Sequence, residues 1–416
     1  MYVDRVVDAE LAARLRSAGA VVIEGPKACG KTETARRAVA SEVLFDVDDV
    51  AREAVKVDPK LVLDGPRPRL LDEWQEAPVL WNHVRRAVDD AGAPGQFVLT
   101  GSSTPADDPV RHSGAGRFSF LRMRPMSLYE SGHSDGSVSL KALMSGEAPG
   151  GRTDAPEVTD LVDWVVRGGW PGRQLGSVAD AAQGARDYLH QIAQVDISRV
   201  DGVARDPRRV TRVLASLGRN VSTEARNTVI AADAGLDGQP LDPHSVASYL
   251  DALERLLVLD EQPAWTPRLR SRARLRTSAK RHLACPSLAA AAVGATPASL
   301  VRDLEYLGLL VESLTIRDLR VLSQPLEGTV RHYRDSNGLE IDAIVEVAGG
   351  AWGAFEVKLG FGQVDDAAAS LLRFADTVET AQVGKPAVLA VICGRTEYAY
   401  RREDGVTVVP LASLGP

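Results

Sequence analysis

The chain has 416 residues, more than one ordinary core fills, so its length predicts two to three domains. Hydrophobic residues make up 44% and charged residues 25%, the globular mix, and no run of about 20 apolar residues exists to span a membrane. A formal net charge of −7 gives no overall pull toward nucleic acid. The opening MYVDRVVDAE lacks the apolar stretch of a signal peptide. Cys29, Cys285 and Cys393 are scattered without metal-ligand spacing, which fits a reducing compartment, so a cytoplasmic location is expected.

Residues 1–150 alternate short apolar runs with helical patterns, which predicts a parallel sheet with crossover helices. Strands are expected at Ala20–Glu24, Val43–Asp46, Arg69–Asp72 and Gln96–Thr100. The Gly-, Ser- and Pro-rich stretch 131–159 reads as a linker or long surface loop. Residues 151–270 are helical in pattern, and Val229–Trp265 has a helix-turn-helix rhythm followed by EQPAW, a plausible wing strand. Its second helix offers His244, Ser245 and Ser248 at the front but acids at Asp251 and Glu254, a poor surface for base edges, so interdomain packing is the rival reading. Residues 268–281 carry a run of arginines and lysines, read either as a solvated face or as a phosphate-contacting stripe. The segment 271–416 is a compact α/β unit. Its elements are a helix at Ala298–Leu314, strands at Val330–Asp335, Glu340–Val347, Trp352–Lys358, Ala387–Cys393 and Val406–Pro410, and a helix at Asp365–Phe374.

Gly25-Pro26-Lys27-Ala28-Cys29-Gly30-Lys31-Thr32 matches G-x-x-x-x-G-K-[ST] without a gap, with the apolar strand AVVIE before it and the helix TETARRAVA leaving it. Glycines let successive backbone N–H groups turn toward phosphate oxygens, and the following helix adds its positive end. Gly25 through Glu33 therefore form the expected ATP-binding stretch, with Lys31 reaching the β/γ-phosphates and the Thr32 hydroxyl ligating Mg2+. About 40 residues on, the apolar strand Arg69-Leu-Leu ends in Asp72 and Glu73. Asp72 is expected to hold the magnesium through water, and Glu73 to orient and deprotonate the attacking water. In Gln96-Phe-Val-Leu-Thr100-Gly-Ser102, Thr100 or Ser102 is placed to sense the γ-phosphate, or else simply ends a strand. Arg117 is an arginine finger, a γ-phosphate sensor in cis, or an ordinary surface arginine.

YVDR, GPKACGKT, LLDEWQEAP, FVLTGSS and AGRF, in that order, resemble the AAA+-related prokaryotic P-loop ATPases fused to a C-terminal domain of unknown function, DUF4143. VVRGGWPG (165–172), the YLHQIAQVDI run with Asp196, the helix-turn-helix segment and EIDAIVE…FEVK extend the likeness over nearly the whole length. The resemblance implies an ATPase core, a helical and winged-helix middle, and a restriction-endonuclease-like C-terminal fold. Residues 284–288 read Ala-Cys-Pro-Ser-Leu where the family usually carries an Asp-containing D-x-G-L stretch.

Asp342, Glu356 and Lys358 stand as D-x13-E-x-K on two expected strands, with Glu312 earlier and Gln363 later, which looks like the PD-(D/E)XK nucleases. In that chemistry Asp342 and Glu356 hold a second Mg2+, Glu312 completes its shell, and Lys358 lowers the pKa of a bound water. The bland alternative is a pair of charges facing one side of a strand. Three readings stand together: an ATP hydrolase that moves its other domains, an ATP-dependent DNA-processing protein, and an ATP-locked regulatory switch. ATP or ADP is the expected ligand, and DNA, a protein partner or further copies of the chain are the other partners considered. A ring is compatible with Arg117 working in trans, and a monomer or dimer is equally compatible.

Overall fold

The computed structural model describes residues 2–103, 114–236, 239–267 and 278–416. Most of the basic stretch 268–281 therefore lies outside the described residues. The chain forms two compact units. One comprises 1–125 with 195–204 and 251–258, and the other comprises 126–194, 205–250 and 259–416.

In the first unit, the described residues form a five-stranded sheet of β1 (Ala20–Glu24), β2 (Ser41–Leu44), β3 (Arg69–Asp72), β4 (Phe97–Gly101) and β5 (Phe118–Arg122). The order is β2-β3-β4-β1-β5, and every pair is parallel. Near-continuous apolar runs such as AVVI suit strands covered on both faces, as parallel sheets require. The expected strands appear at or within a few residues of their expected positions, and β5 is an additional one. One core packs Trp74, Trp81 and Phe118 against the sheet, with Trp81 stacked on Phe118 at 4.2 Å between ring centres. Because β4 lies between β1 and β3, the carboxyl ends of the loop strand, the hydroxyl strand and the acid strand lie along one edge. That edge is where ligands of open α/β sheets bind.

In the second unit, the described residues form a seven-stranded mixed sheet. Its strands are β7 (Gly151–Arg152), β8 (Thr329–Arg334), β9 (Glu340–Glu346), β10 (Trp352–Lys358), β11 (Val388–Cys393), β12 (Tyr398–Arg401) and β13 (Thr407–Pro410), while β6 (Val138–Ser139) pairs separately with β14 (Leu414–Gly415). The sheet order is β7-β12-β13-β11-β10-β9-β8. Trp265, Trp352 and Phe374 fill one face, Trp265 and Trp352 lying 5.3 Å apart. The reading of 131–159 as a linker is corrected here. Val138, Leu140, Leu143 and Met144 are buried, and β6 and β7 pair with strands near the C-terminus, so the segment is woven into this unit. Apolar residues spaced among the glycines carried that signal.

The helix expected at Ala298–Leu314 is instead two, Pro297–Arg302 and Leu304–Ser323. Asp303 breaks it by capping the second, accepting from the Tyr306 N–H at 3.0 Å. The helix then runs past Leu314 because Thr315 through Ser323 are buried. In VVRGGWPG, Gly169 is required by close approach: a Cβ there would sit 2.1 Å from the Met126 carbonyl oxygen. In the departing ACPSL stretch, the buried Cys285 sulfur lies within reach of three donors: the Gly169 N–H at 3.4 Å, the Ser287 hydroxyl at 3.2 Å and the Arg317 guanidinium at 3.6 Å.

Candidate functional site

The loop between β1 and the helix Lys31–Arg36 is shaped by residues that a bulkier or stiffer sequence would not allow. A Cβ on Gly25 would lie 2.4 Å from the Met123 carbonyl oxygen, and Gly30 holds φ at 106°, a left-handed value. The Lys31 side chain is buried along the loop, its ammonium donating to the Gly25 carbonyl at 2.9 Å and the Pro26 carbonyl at 3.1 Å. Cys29 is fully buried. Lys27 and Ala28 are exposed, and Lys27 reaches Asp196 at 2.6 Å.

Thr32, Asp72 and Thr100 converge. The Thr32 hydroxyl donates to Asp72 Oδ1 at 2.8 Å, and the Thr100 hydroxyl donates to the same oxygen from β4. Burial pushes the Asp72 carboxyl above its usual range, against the two hydroxyl donors that lower it. Glu73 follows in the left-handed region with φ at 50°, its N–H donating to Thr100 Oγ1 at 3.3 Å. Its carboxylate accepts from the Ser102 hydroxyl at 3.1 Å and from the Gln75 amide. Glu33 is exposed and pairs with Arg36 at 2.6 Å, on the helix just beyond the loop. Arg117 stands apart from this group. Its guanidinium donates to Asp89 at 2.8 Å and to the Ala115 carbonyl at 3.1 Å, and its side chain is 44% exposed.

In the second unit the C-terminal carboxylates also gather. Asp342 on β9 and Glu356 on β10 are buried, and Glu312 faces them from the long helix. Lys358 Nζ lies 2.6 Å from Glu356 and 3.7 Å from Asp342. Unforeseen from the sequence, Lys280 also enters the cluster, 2.8 Å from Glu312, 2.7 Å from Glu340 and 3.6 Å from Asp342. Burial, reinforced by Asp342, pushes Glu312 and Glu356 up to about 8. Burial works the same way on Asp342, but Lys280 and Lys358 outweigh it and hold that carboxyl below its usual range. Among the described residues, no group of three or more His, Cys, Asp or Glu side chains is arranged to hold a metal ion. Lys280 and Arg281, the described end of the basic stretch, turn inward, Arg281 pairing with Glu261 and donating to Asn227 Oδ1 at 3.1 Å.

Comparison with known proteins matches residues 17–132 to an AAA domain, 158–299 to a domain of unknown function (DUF8612) and 307–414 to another (DUF4143). The chain carries an AAA-type P-loop ATPase domain fused to a DUF4143 domain. It is 25% identical to the uncharacterized proteins Rv2008c of Mycobacterium tuberculosis and Mb2031c of Mycobacterium bovis, over 84% of this chain and 73% of theirs. Among solved structures, the Walker-type ATPase PABY2304 of Pyrococcus abyssi is similar at 13% identity and a TM-score of 0.43, covering 70% of this chain and 96% of that one. The ORC2 protein of Aeropyrum pernix, solved as ADPNP-ADP complexes, is similar at 11% identity and a TM-score of 0.32, covering 74% and 91%. No helix among the described residues is long and apolar enough to cross a membrane.

Ahead of the stretch matched to the AAA domain lie residues that sequence reasoning missed and that brace the loop. Arg5, buried, donates to the Cys29 carbonyl at 2.9 Å and the Arg124 carbonyl at 2.8 Å, while the Tyr2 hydroxyl bridges Asp8 at 2.7 Å and Thr34 at 2.9 Å. Hydrogen bonds to charged groups contribute about 1.5–3 kcal/mol each. Arg5→Met is therefore expected to destabilise the unit by about 2–4 kcal/mol. Urea denaturation monitored by tryptophan fluorescence checks it, and an unchanged midpoint would remove Arg5 as the brace.

On β8 of the seven-stranded sheet, burial and the nearby Lys280 push His332 down to about 4, its Nε2 meeting the Ser278 carbonyl at 3.0 Å. His282 is likewise held well below its usual range by burial. Both histidines are thus neutral in the fold and take up protons more readily when unfolded. Stability is fully present above about pH 6.5 and is lost as pH falls through 6.5 toward 4. His332→Gln is expected to flatten part of that acid slope in thermal melts, and a slope identical to wild type would refute the assignment.

Proposed function

We propose that this protein binds ATP with Mg2+ at Gly25–Glu33 and hydrolyses it, using Asp72 on the metal side and Glu73 as the base. The carrying observation is the convergence of the Thr32 and Thr100 hydroxyls on Asp72 at the mouth of a loop that encloses Lys31. That donor set, hard oxygens from a threonine and a carboxylate, suits magnesium. Bound there, magnesium would neutralise charge developing on the phosphates. Lys31 exchanges its two loop carbonyls for phosphate oxygens. Glu73 holds a water and takes its proton at Oε1 or Oε2, with Ser102 and Gln75 fixing the carboxylate. Thr100, bonded to both Asp72 and the Glu73 backbone, ties the metal-side acid to the base and is the better sensor candidate. Arg117 points to Asp89, which supports a role in trans or on the surface ahead of one in its own site.

Coupling of hydrolysis to the rest of the chain is part of the same reading. Residues 195–204 and 251–258 fall within the helical middle of the sequence yet are built into the ATPase unit, and Asp196 pairs with loop Lys27. A change at the loop is thereby felt by segments that continue directly into the other unit. The same reading divides the chain into 1–150, a helical and winged-helix middle at 151–270 and a PD-(D/E)XK-like end at 271–416; three matched stretches, 17–132, 158–299 and 307–414, support a division into three parts. A cytoplasmic setting fits three free, buried cysteines. Isothermal titration with ATP and magnesium, followed by phosphate release at saturating ATP, tests the proposal. Absence of binding heat sinks it, and tight binding without turnover would favour an ATP-locked switch over a hydrolase.

A further inference from the structure

The acids of the DUF4143 domain lie where a divalent cation would be expected from the D-x13-E-x-K pattern, but positive charge already fills the place. Lys280 is 2% exposed, and its ammonium touches Glu312 and Glu340 and faces Asp342. Two further oxygens are also engaged. Asp342 Oδ2 accepts the Val357 N–H at 2.8 Å and faces Lys358, and Glu356 Oε2 accepts from Lys358 at 2.6 Å.

Lys280 is not a stray surface side chain folded inward. Its backbone pairs antiparallel with Gln262 through hydrogen bonds of 3.0 and 2.9 Å, and the Gln262 amide donates to the Asp342 carbonyl at 2.8 Å. Two residues on, His282 meets both Gln262 Oε1 and Ser313 Oγ at 3.1 Å. The lysine is thus anchored on the same hydrogen-bonded frame that positions Asp342.

Access does not keep a metal out. A cavity of about 620 Å³, lined by Glu312, Asp342, Lys358, Gln363 and Arg395 among others, opens onto the cluster. Charge does. Magnesium demands oxygens at about 2.0–2.1 Å in octahedral order. A divalent ion set among these oxygens would have to displace or sit against two ammonium groups that already hold them. Asp342, Glu312 and Glu356 as arranged do not fit the metal.

We infer that the Lys280 ammonium is the resident cation of this carboxylate cluster, holding the place a divalent metal would otherwise take. The domain is therefore built without metal, and the acids serve as partners of two lysines. This inference stands independently of the ATPase reading, which concerns the other unit.

Manganese binding to the full chain without nucleotide, counted by electron paramagnetic resonance of free Mn2+, tests it. Metal held weakly at the ATPase site is common to all variants, so differences report on this cluster. Wild type and Asp342→Asn are expected to bind equal amounts. Lys280→Met is expected to gain one manganese per chain, and Lys280→Met combined with Asp342→Asn is expected to lose it again. One equivalent present in wild type and missing in Asp342→Asn overturns the inference, as does a folded Lys280→Met chain that gains none. Should Lys280→Met fail to fold, as a buried charge cluster stripped of its cation can, the comparison of wild type with Asp342→Asn decides alone.

Discussion

Glu73→Gln is expected to bind ATP within about threefold of wild type and to hydrolyse it about 10²–10⁴ times more slowly, the range general-base removal produces. Glutamine keeps the volume and still accepts a hydrogen bond from Ser102, so the phosphate-binding loop is untouched. What it cannot do is take a proton from water. The backbone points to the same residue. Glu73 holds φ at 50°, a left-handed conformation that a non-glycine residue adopts at a cost, and such outliers concentrate where function over-determines geometry. The turn aims the carboxylate back across β4 toward Ser102 while Asp72, one residue earlier, faces Thr32. Adjacent acids thereby face different partners, as the proposed division into metal-side acid and base requires. Nucleotide affinity from a fluorescent ATP analogue and phosphate release at saturation separate the outcomes. Equal turnover in mutant and wild type would strip Glu73 of the role, and loss of binding would show that the change reached the loop.

How far the sequence carried this picture varies along the chain for physical reasons. The ATPase sheet was legible because its strands are short apolar runs bounded by turns, and the Gly-Lys-Thr signature has few other uses in that setting. β5 was not, because in Phe118–Arg122 buried, half-buried and exposed residues follow one another without regular alternation. The convergence of Thr32, Thr100 and Asp72 followed from strand-end positions. The brace supplied by Arg5 and the contact of Lys27 with Asp196 did not, since they join residues 24 and 169 positions apart that share no local pattern. The most instructive case is Lys280. In the sequence it sits at the end of an arginine-rich run that reads as a solvated face or a phosphate-contacting stripe, and only a fold that pairs its backbone with Gln262 turns it into the carboxylate cluster. Periodicity and motif report which face a residue lies on. They do not report which distant charge comes to meet it.

Lys31→Ala is expected to weaken ATP binding by at least about 100-fold, equivalent to about 2.8 kcal/mol. Two losses combine. The ammonium is the charge that a triphosphate would meet inside the loop, and in the free protein it also ties the Gly25 and Pro26 carbonyls at 2.9 and 3.1 Å. Removing it leaves a loop of fixed shape with a carbonyl edge unpaired, so part of the effect is structural. The two parts are separable. Loss of the loop tie costs about 1–3 kcal/mol of stability with no nucleotide present, and shows as a lower urea midpoint of the free protein. Loss of phosphate recognition shows only on titration with ATP, where a buried ammonium meeting a polyanion is a charge contact that added salt screens little. Lys31→Met, which refills the buried channel with an apolar chain, restores packing but not affinity if the ammonium recognises phosphate. Recovery of ATP binding in Lys31→Met to within about threefold of wild type would mean that the side chain only props the loop, and the assignment of Gly25–Thr32 as the phosphate cradle would have to rest on its backbone alone.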